Sequence, residues 1–484
     1  MVNWSRVSIL LGVLFASVTQ AFLIDSIDGN SWKNSHYSRT IDLSKSYVKE
    51  LSIIEAVNTG SKPQDEYYFT VNDGFDSIPH ISLISFSTIN PISLEVTYEE
   101  LIPNKLYKVK FPTPISPNSN IEFKVTYVIT NILEPLPSKI AMDDVQSLLF
   151  RGNKFAYSPY KTEDYTLIFT GVSKGQEMEL YLQDPSAINV TENAPDMKPV
   201  VDGKTLKYGP FVEELDAFTL SPMGLLYDHN RPLTFVHNLN RSVWIPASNV
   251  DKLSIEEYYE ITNNGAQLST GFSRVDWLKG RYQAVRNHWA LSQLEIPSSA
   301  SNFDDYYFTD LVGVVSTHQI IKDHLILQPR FPLFGQWHYN FTLGWNENIG
   351  EFLHQINNSE DEYILRVPIL NAIRDASYNN TYLSIYLPEN AEFVNVSSPV
   401  KFESLTVDYE LSYLDVSKGH TKVTIHFQDL FDDVNKLAVL VKFKYTKLSY
   451  VIKVAKISGF VFIGLLSYYL LSLIDLSITD KKKK

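Results

Sequence analysis

The chain has 484 residues, 44% of them hydrophobic, with a net charge of −13 and no cysteine. The absent thiols exclude cysteine nucleophiles, thiolate metal sites and CxxC redox chemistry, so the fold must be held by packed cores. The acids stand in short, separated clusters such as Asp304-Asp305, Glu360-Asp361-Glu362 and Asp432-Asp433; charge spread this way is solvated surface and argues against nucleic acid as a partner, which calls for a basic face.

At the front, Arg6 precedes an apolar run from Val7 to Val18, and Thr19-Gln20-Ala21 puts small residues at the third and first positions before a cut at Phe22. Residues 1–21 read as a secretory signal peptide. Setting this and the apolar C-terminal segment aside leaves roughly 430 residues, too many for one ordinary core, so two domains of about 200 residues each are expected, 22–230 and 231–450.

Short β-branched and aromatic runs, broken by Pro, Gly, Asn and Asp, dominate both, as in Ile121 to Ile129, Tyr165 to Phe169, Tyr382 to Leu387 and Lys422 to Phe427. Helical periodicity is scarce before the C-terminal segment. The predicted fold class is mainly β: two tandem lumenal β-sandwich-like domains, then one transmembrane helix. A weak internal echo points to duplication. Leu51-Ser52-Ile53-Ile54-Glu55 with Asn58-Thr59-Gly60 recurs as Leu253-Ser254-Ile255-Glu256-Glu257 with Asn263-Asn264-Gly265, and Tyr181 to Thr191 recurs as Tyr386 to Ser397.

Gly171-Val172-Ser173-Lys174-Gly175 fits the G-x-S-x-G pattern, but Met178 to Leu182 reads as a second strand where a nucleophile elbow needs a helix, so a hairpin loop is expected. Acceptor sequons stand at Asn189, Asn240, Asn340, Asn357, Asn379 and Asn395. No histidine spacing matches a metal motif, and no catalytic, metal or cofactor residue is assigned. The segment Arg330-Phe331-Pro332-Leu333-Phe334-Gly335, with Trp337, makes a rigid apolar loop suited to packing or to a partner.

Near the end, Lys453 and Lys456 are placed to snorkel to headgroups. Ile457 to Ile478, about 22 residues with one acid at Asp475, covers a hydrocarbon core of roughly 30 Å. Behind the signal this gives a single-pass type I protein, its bulk lumenal, residues 479–484 cytosolic, and its anchor in contact with membrane lipid. Lys481 to Lys484 fit the positive-inside tendency, and Lys481 and Lys482 also look like a dilysine signal for return to the endoplasmic reticulum.

Several blocks stand out together: Phe150-Arg151-Gly152-Asn153 with Tyr157-Ser158-Pro159-Tyr160, Tyr208-Gly209-Pro210-Phe211, Asp305-Tyr306-Tyr307 with Gly313, Val315, Ser316 and Thr317, Arg330 to Gly335, and Asp475-Leu476-Ser477-Ile478-Thr479. In their shared order they resemble the ribophorin I family, large single-span subunits of the oligosaccharyltransferase complex, in the short form of its fungal members. The resemblance implies a non-catalytic subunit in the endoplasmic reticulum membrane, without a cofactor of its own. Its partners would be other subunits of the complex, including a multispanning catalytic subunit, and nascent polypeptides that receive a dolichol-linked oligosaccharide at Asn-x-Ser/Thr. Scaffolding and acceptor presentation are the expected contributions. A type I cargo receptor or chaperone, and a lumenal hydrolase, are the alternatives from other classes.

Overall fold

A computed structural model of the chain describes residues 24, 27–71, 81–90, 93–178, 180, 198–246, 251–282, 288–297, 304–322, 324–356, 359, 361–412, 415 and 418–474. The signal peptide, Asn189, Asn357, the repeat segment Tyr181 to Thr191, Asp475, and Lys481 and Lys482 lie outside the described residues.

The described residues are mainly strand. A first series comprises β1 (Trp32–Asp42), β2 (Val48–Asn58), β3 (Gln64–Thr70), β4 (Ile81–Asn90), β5 (Thr97–Ile102), β6 (Leu106–Ile115), β7 (Asn120–Ile129), β8 (Glu134–Pro135), β9 (Lys139–Ile140), β10 (Ser147–Asn153), β11 (Tyr165–Thr170), β12 (Ser173–Met178), β13 (Val200–Asp202), β14 (Thr205–Phe211) and β15 (Pro222–Asp228). A second series comprises β16 (Thr234–Trp244), β17 (Lys252–Asn263), β18 (Gln267–Leu268), β19 (Leu294–Pro297), β20 (Asp304–Asp310), β21 (Gly313–Val314), β22 (His318–Ile321), β23 (His324–Leu327), β24 (His338–Asn348), β25 (Leu353–Gln355), β26 (Glu362–Pro368), β27 (Ala376–Glu389), β28 (Glu392–Ser397), β29 (Ser404–Glu410), β30 (His420–Phe431) and β31 (Ala438–Lys444).

The two series build the same topology. The first makes a seven-stranded sheet, β13-β14-β11-β1-β2-β7-β4, with smaller sheets β3-β6-β5 and β12-β15-β10-β8. The second makes β29-β30-β27-β16-β17-β24-β20-β21, with smaller sheets β19-β23-β22 and β28-β31-β26-β25. Read strand for strand, the orders coincide, and β21 is the one addition to a matched sheet among the described residues. Even the exceptional pairing repeats: β1 runs parallel to β11 and β16 parallel to β27, while β1–β2 and β16–β17 are antiparallel.

In each half the smaller sheets cover one face of the large one and close a hydrophobic core, from Trp32, Tyr37, Ile54, Phe123 and Leu167 in the first and Val236, Leu239, Ile255, Leu343 and Ile425 in the second. The alternation that aims these side chains inward survives a register shift near the start of β1, between Asn34 and His36, and of β16, between Val236 and Asn238. A bulge at the same place in both copies re-aims everything after it by one residue.

Seven residues after the first residue of β1 and of β16 this alternation drives an arginine inward. Arg39 Nε and Nη2 donate to the two Glu50 carboxylate oxygens at 2.6 and 2.9 Å, and Nη1 donates to the Asn153 carbonyl at 2.5 Å. Its side chain is 3% exposed and that of Glu50 1%. Burial opposes the charge on Arg39, but the Glu50 carboxylate outweighs it and holds the guanidinium well above its ordinary value. In the second half Arg241 pairs with Glu257, whose other oxygen accepts from Tyr259 Oη at 2.7 Å. Burial pushes the Glu257 carboxyl up, against the pull of Arg241.

The end of the following strand is fixed by a repeated asparagine. Asn58 Oδ1 accepts from the Gly60 amide at 2.9 Å and its Nδ2 donates to the carbonyls of Lys62 and Ile115. Asn263 does the same with Gly265 at 3.0 Å and with Trp289 and Leu333. The Asn-x-Gly echo therefore marks one structural position. The neighbouring echo does not, because Leu51 stands seven residues before Asn58 and Leu253 ten before Asn263.

The Gly171 to Gly175 segment is not a hairpin loop. β11 belongs to the seven-stranded sheet and β12 pairs with β15 in a smaller one. Gly171, at φ +76° with Ser44 packed against it, lets the chain step between sheets.

A single helix, Lys447–Ser472, follows β31. Thr446 caps it, its hydroxyl accepting from the Ser449 amide at 3.2 Å. Its 26 residues extend about 39 Å, long and apolar enough to cross a bilayer.

Arg39→Leu or Glu50→Leu alone leaves an uncompensated buried charge and should destabilise the first domain by roughly 3–5 kcal/mol, whereas the paired Arg39→Met, Glu50→Leu change should recover most of the loss. Urea unfolding of the full-length protein in detergent, followed by tryptophan emission, checks this; equal losses in the single and paired variants would show that the ion pair is not what the sheet depends on.

Candidate functional site

The two β domains are joined by polar contacts drawn from distant parts of the chain. The corner between β1 and β2 enters the second domain: Tyr47 Oη donates to Asp432 at 2.5 Å, Lys45 Nζ reaches both Asp432 oxygens at 3.1 Å, and the Ser46 amide donates to Asp375 at 2.8 Å. The Asp375 amide closes the ring by donating to Asp432 at 2.9 Å. Burial holds the Asp375 carboxyl above the ordinary aspartate range.

A second junction centres on Gln146. Its amide nitrogen donates to the carbonyls of His229 and Arg231, and its oxygen accepts from the Ala266 amide at 2.8 Å. A Cβ on Gly265 would collide with that oxygen. Beside it, β9 and β18 form a two-stranded parallel sheet across the junction. Ile140 from the first domain packs with Ala266, Trp289 and Phe334 from the second.

The Arg330 to Trp337 loop supplies part of this joint. Leu333 and Phe334 are fully buried, in the second core and in the interdomain cluster respectively. Gly335 lies so close to the Ala266 carbonyl that no side chain fits. Trp337 is half-buried between Phe334, Phe331 and Phe272, and Phe331 is exposed. Pro332 is half-buried. Arg330 turns outward to the β20–β21 hairpin, donating through Nε to Asp310 at 2.5 Å and through Nη2 to the carbonyls of Gly313 and Val314.

Lys453 does not reach for headgroups. From the second turn of the C-terminal helix it folds back onto the β domain, 2.8 Å from Asp415 and 3.1 Å from Glu389, carboxylates only 0% and 1% exposed. Asp415 also accepts from the Ser412 amide at 2.8 Å and faces His420. Burial alone would push Asp415 up; the hydrogen bonds from Lys453 and Ser412 outweigh it and hold the carboxyl below the ordinary range. Two acids this dry demand a cation, and the helix supplies it.

The described sequons fall on strands. Asn240 on β16 and Asn395 on β28 are exposed. Asn340 on β24 is half-buried, its Nδ2 donating to Tyr258 Oη at 3.2 Å. Asn379 on β27 is half-buried and its partner Thr381 fully buried. Among the described residues no three His, Asp or Glu side chains stand in a metal-binding group.

Sequence reasoning missed the Lys45–Tyr47–Asp432–Asp375 ring, the Gln146 bridge and the Lys453 pairing. Lys45 and Asp432 are 387 residues apart, and no local pattern links them.

The family described as Ribophorin I matches residues 32–472. Dolichyl-diphosphooligosaccharide–protein glycosyltransferase subunit 1 of Caenorhabditis elegans is 26% identical over 434 residues, covering 88% of this chain and 67% of that protein. The subunit 1 of Schizosaccharomyces pombe is 26% identical over 440 residues, covering 88% and 92%. Subunit 1A of Arabidopsis thaliana is 24% identical over 467 residues, covering 92% and 70%. Among solved structures, an M1 zinc metallopeptidase from Deinococcus radiodurans aligns over 43% of this chain and 42% of that one at 9% identity and a TM-score of 0.24, which carries no argument.

Lys453→Ala should loosen the helix from the β domain by roughly 3–5 kcal/mol, since it strands two buried carboxylates, and Lys453→Arg should retain most of the coupling. Amide exchange over Lys447 to Lys456 checks it. The Asp415 part of the coupling is present above the unfolded aspartate value of about 3.9 and is lost as pH falls through its lower folded value, so protection factors, corrected for the intrinsic exchange rate, should be the same at pH 5 and pH 7.

Proposed function

The chain belongs to the ribophorin I family, and we propose that it acts as a non-catalytic subunit of an oligosaccharyltransferase, scaffolding the complex and holding acceptor polypeptides near the catalytic subunit. Relatives matching most of the chain bear the name of subunit 1 of that glycosyltransferase. Membership in the complex places the protein at the endoplasmic reticulum membrane, with the other subunits as partners. Within it the β domains are lumenal, the helix is the single span, and the terminal lysines face the cytosol.

The observation that carries the scaffolding role is the pairing of Lys453 with Glu389 and Asp415. A span on a slack tether would leave the domains free to tumble; a span clamped to the second domain, itself locked to the first through Asp432 and Gln146, gives the bulk of the protein a set height and heading above the bilayer. Acceptors held there meet the catalytic subunit at a raised effective concentration, without chemistry from this chain. The Ser173 hydroxyl lies in a strand rather than at an elbow.

Tagging the lumenal side, purifying in mild detergent and assaying glycan transfer to an Asn-x-Thr peptide tests the reading. Activity and a stoichiometric set of membrane subunits should copurify; elution of the protein alone and inactive, under conditions that preserve the complex, would turn the reading toward a cargo receptor. Lumenal orientation has its own check. Exposed Asn240 and Asn395 should carry glycans, so Asn240→Gln and Asn395→Gln should each raise gel mobility by one endoglycosidase-sensitive step.

A further inference from the structure

At the junction of the two domains lies a cleft of about 970 Å³, at the upper end of the roughly 300–1,000 Å³ that ligand pockets occupy. Its walls come from both domains: Ala141 to Asp144 from the first, the connecting Asn230 to Pro232, and from the second the short helix Arg274–Tyr282, the run from His288 to Glu295, and Ile373 to Asp375. These walls are braced. A His288 ring nitrogen meets the Met142 carbonyl at 2.8 Å, and Arg374 Nη1 donates to Glu295 at 3.0 Å. Half-buried Trp277 stands edge-on to His288, 5.1 Å between centroids, and to Phe334 at 5.7 Å. Its indole is thus held in place at the wall.

We propose that this cleft binds a neutral oligosaccharide. Three features select that class. Among the described residues the wall carries the carboxylates of Asp143, Asp144, Asp276, Glu295 and Asp375 against the cations of Arg231, Lys279 and Arg374, with Asp276 beside Lys279 and Glu295 beside Arg374, so these residues offer no basic field of the kind a phosphate needs. Several backbone groups that an extended peptide would pair with are taken: the Arg374 amide donates to the Glu295 carbonyl, the Ser269 amide to the Ile140 carbonyl, and one edge of β9 is paired with β18. What remains is a wall of carboxylates, amides, hydroxyls and the exposed Arg231 guanidinium around one indole. Hydroxyl-rich rings suit this wall, since they exchange hydrogen bonds with charged and polar side chains while their C–H faces, with outward positive hydrogens, lie against the negative face of an indole.

This goes beyond holding acceptor chains, which needs only polypeptide contacts. The shared chemistry is that of the sugar, whether it is free or already linked to protein, and the probes below separate these two sources.

The test uses the full-length protein, enzymatically deglycosylated, in a polyoxyethylene detergent, because sugar-headed detergents would compete. Three probes are titrated by calorimetry and saturation-transfer NMR: a released neutral high-mannose oligosaccharide, a glycopeptide carrying it, and the bare peptide. Both glycan probes should bind saturably and the bare peptide should not. Equal affinity for the two glycans assigns recognition to the sugar alone, and tighter binding of the glycopeptide assigns the protein-linked form as the occupant. Trp277→Ala should weaken binding at least tenfold. Because Trp277 also packs on Phe334, Thr270→Trp at the exposed rim provides a second variant, expected to block the cleft without changing the melting temperature. Bare-peptide binding as tight as the glycopeptide's, no glycan binding at millimolar concentration, or glycan binding unchanged in both variants would each overturn the proposal. None of these outcomes depends on transfer activity, so failure here leaves the subunit reading standing.

Discussion

In each half of the chain, the first two strands of the large sheet are tied by an arginine and a glutamate taken out of water. Removing two charges from solvent costs several kcal/mol per ion before any attraction is counted. The first half offsets this with a two-pronged contact between Arg39 and Glu50 and a backbone carbonyl on the remaining guanidinium nitrogen. The second moves the acid to the position directly opposite, Glu257, and adds Tyr259 as a donor and the Trp345 ring beside Arg241. The arginines occupy one structural position; their acids do not. Such a pair specifies register more than it adds stability, because a one-residue slip would turn the arginine outward and leave the glutamate alone in the core.

With register set, the rest of each domain follows: the bulge that re-aims the strand, the Asn-x-Gly corner that ends its neighbour, and the small sheets that cover the inner face. The duplicated topology also explains the joint. The corner between the first two strands of the first domain meets the second at the start of β27 and the end of β30, where Asp375 and Asp432 receive it. The β domains and the C-terminal helix are then linked through charged or amide side chains buried at the contacts, which hold orientation more strictly than apolar packing does.

That mechanical continuity is what a scaffolding role requires, and the cleft is its by-product. Two domains joined at two separate places enclose a space between them, and here the space is lined with polar side chains braced by their own contacts. Under the proposed scaffolding role, a chain built this way would hold its surfaces in a set orientation to the C-terminal helix.

Much of the architecture was legible in residue order. Alternating apolar and polar residues with aromatic enrichment identified strands, a run of apolar residues at the end identified a helix able to span a bilayer, and Asn58-Thr59-Gly60 with Asn263-Asn264-Gly265 marked one corner shared by two sheets of matching strand order. These are properties of one segment at a time, set by the two-residue period of a strand, the rise of a helix and the backbone freedom of glycine. The use of Lys453, the step from β11 to a different sheet at Gly171, the inward turn of Arg39 and Arg241, and the cleft were beyond it. Lys453 stands close enough in sequence to the apolar run to suggest a headgroup contact, and only the path of the chain brings Glu389 and Asp415 to it. Local sequence determined which segments are strands and which is the helix, because backbone geometry repeats over a few residues; the tertiary structure decided which charges pair and where the domains part, because those contacts join residues that meet only once the sheets have closed.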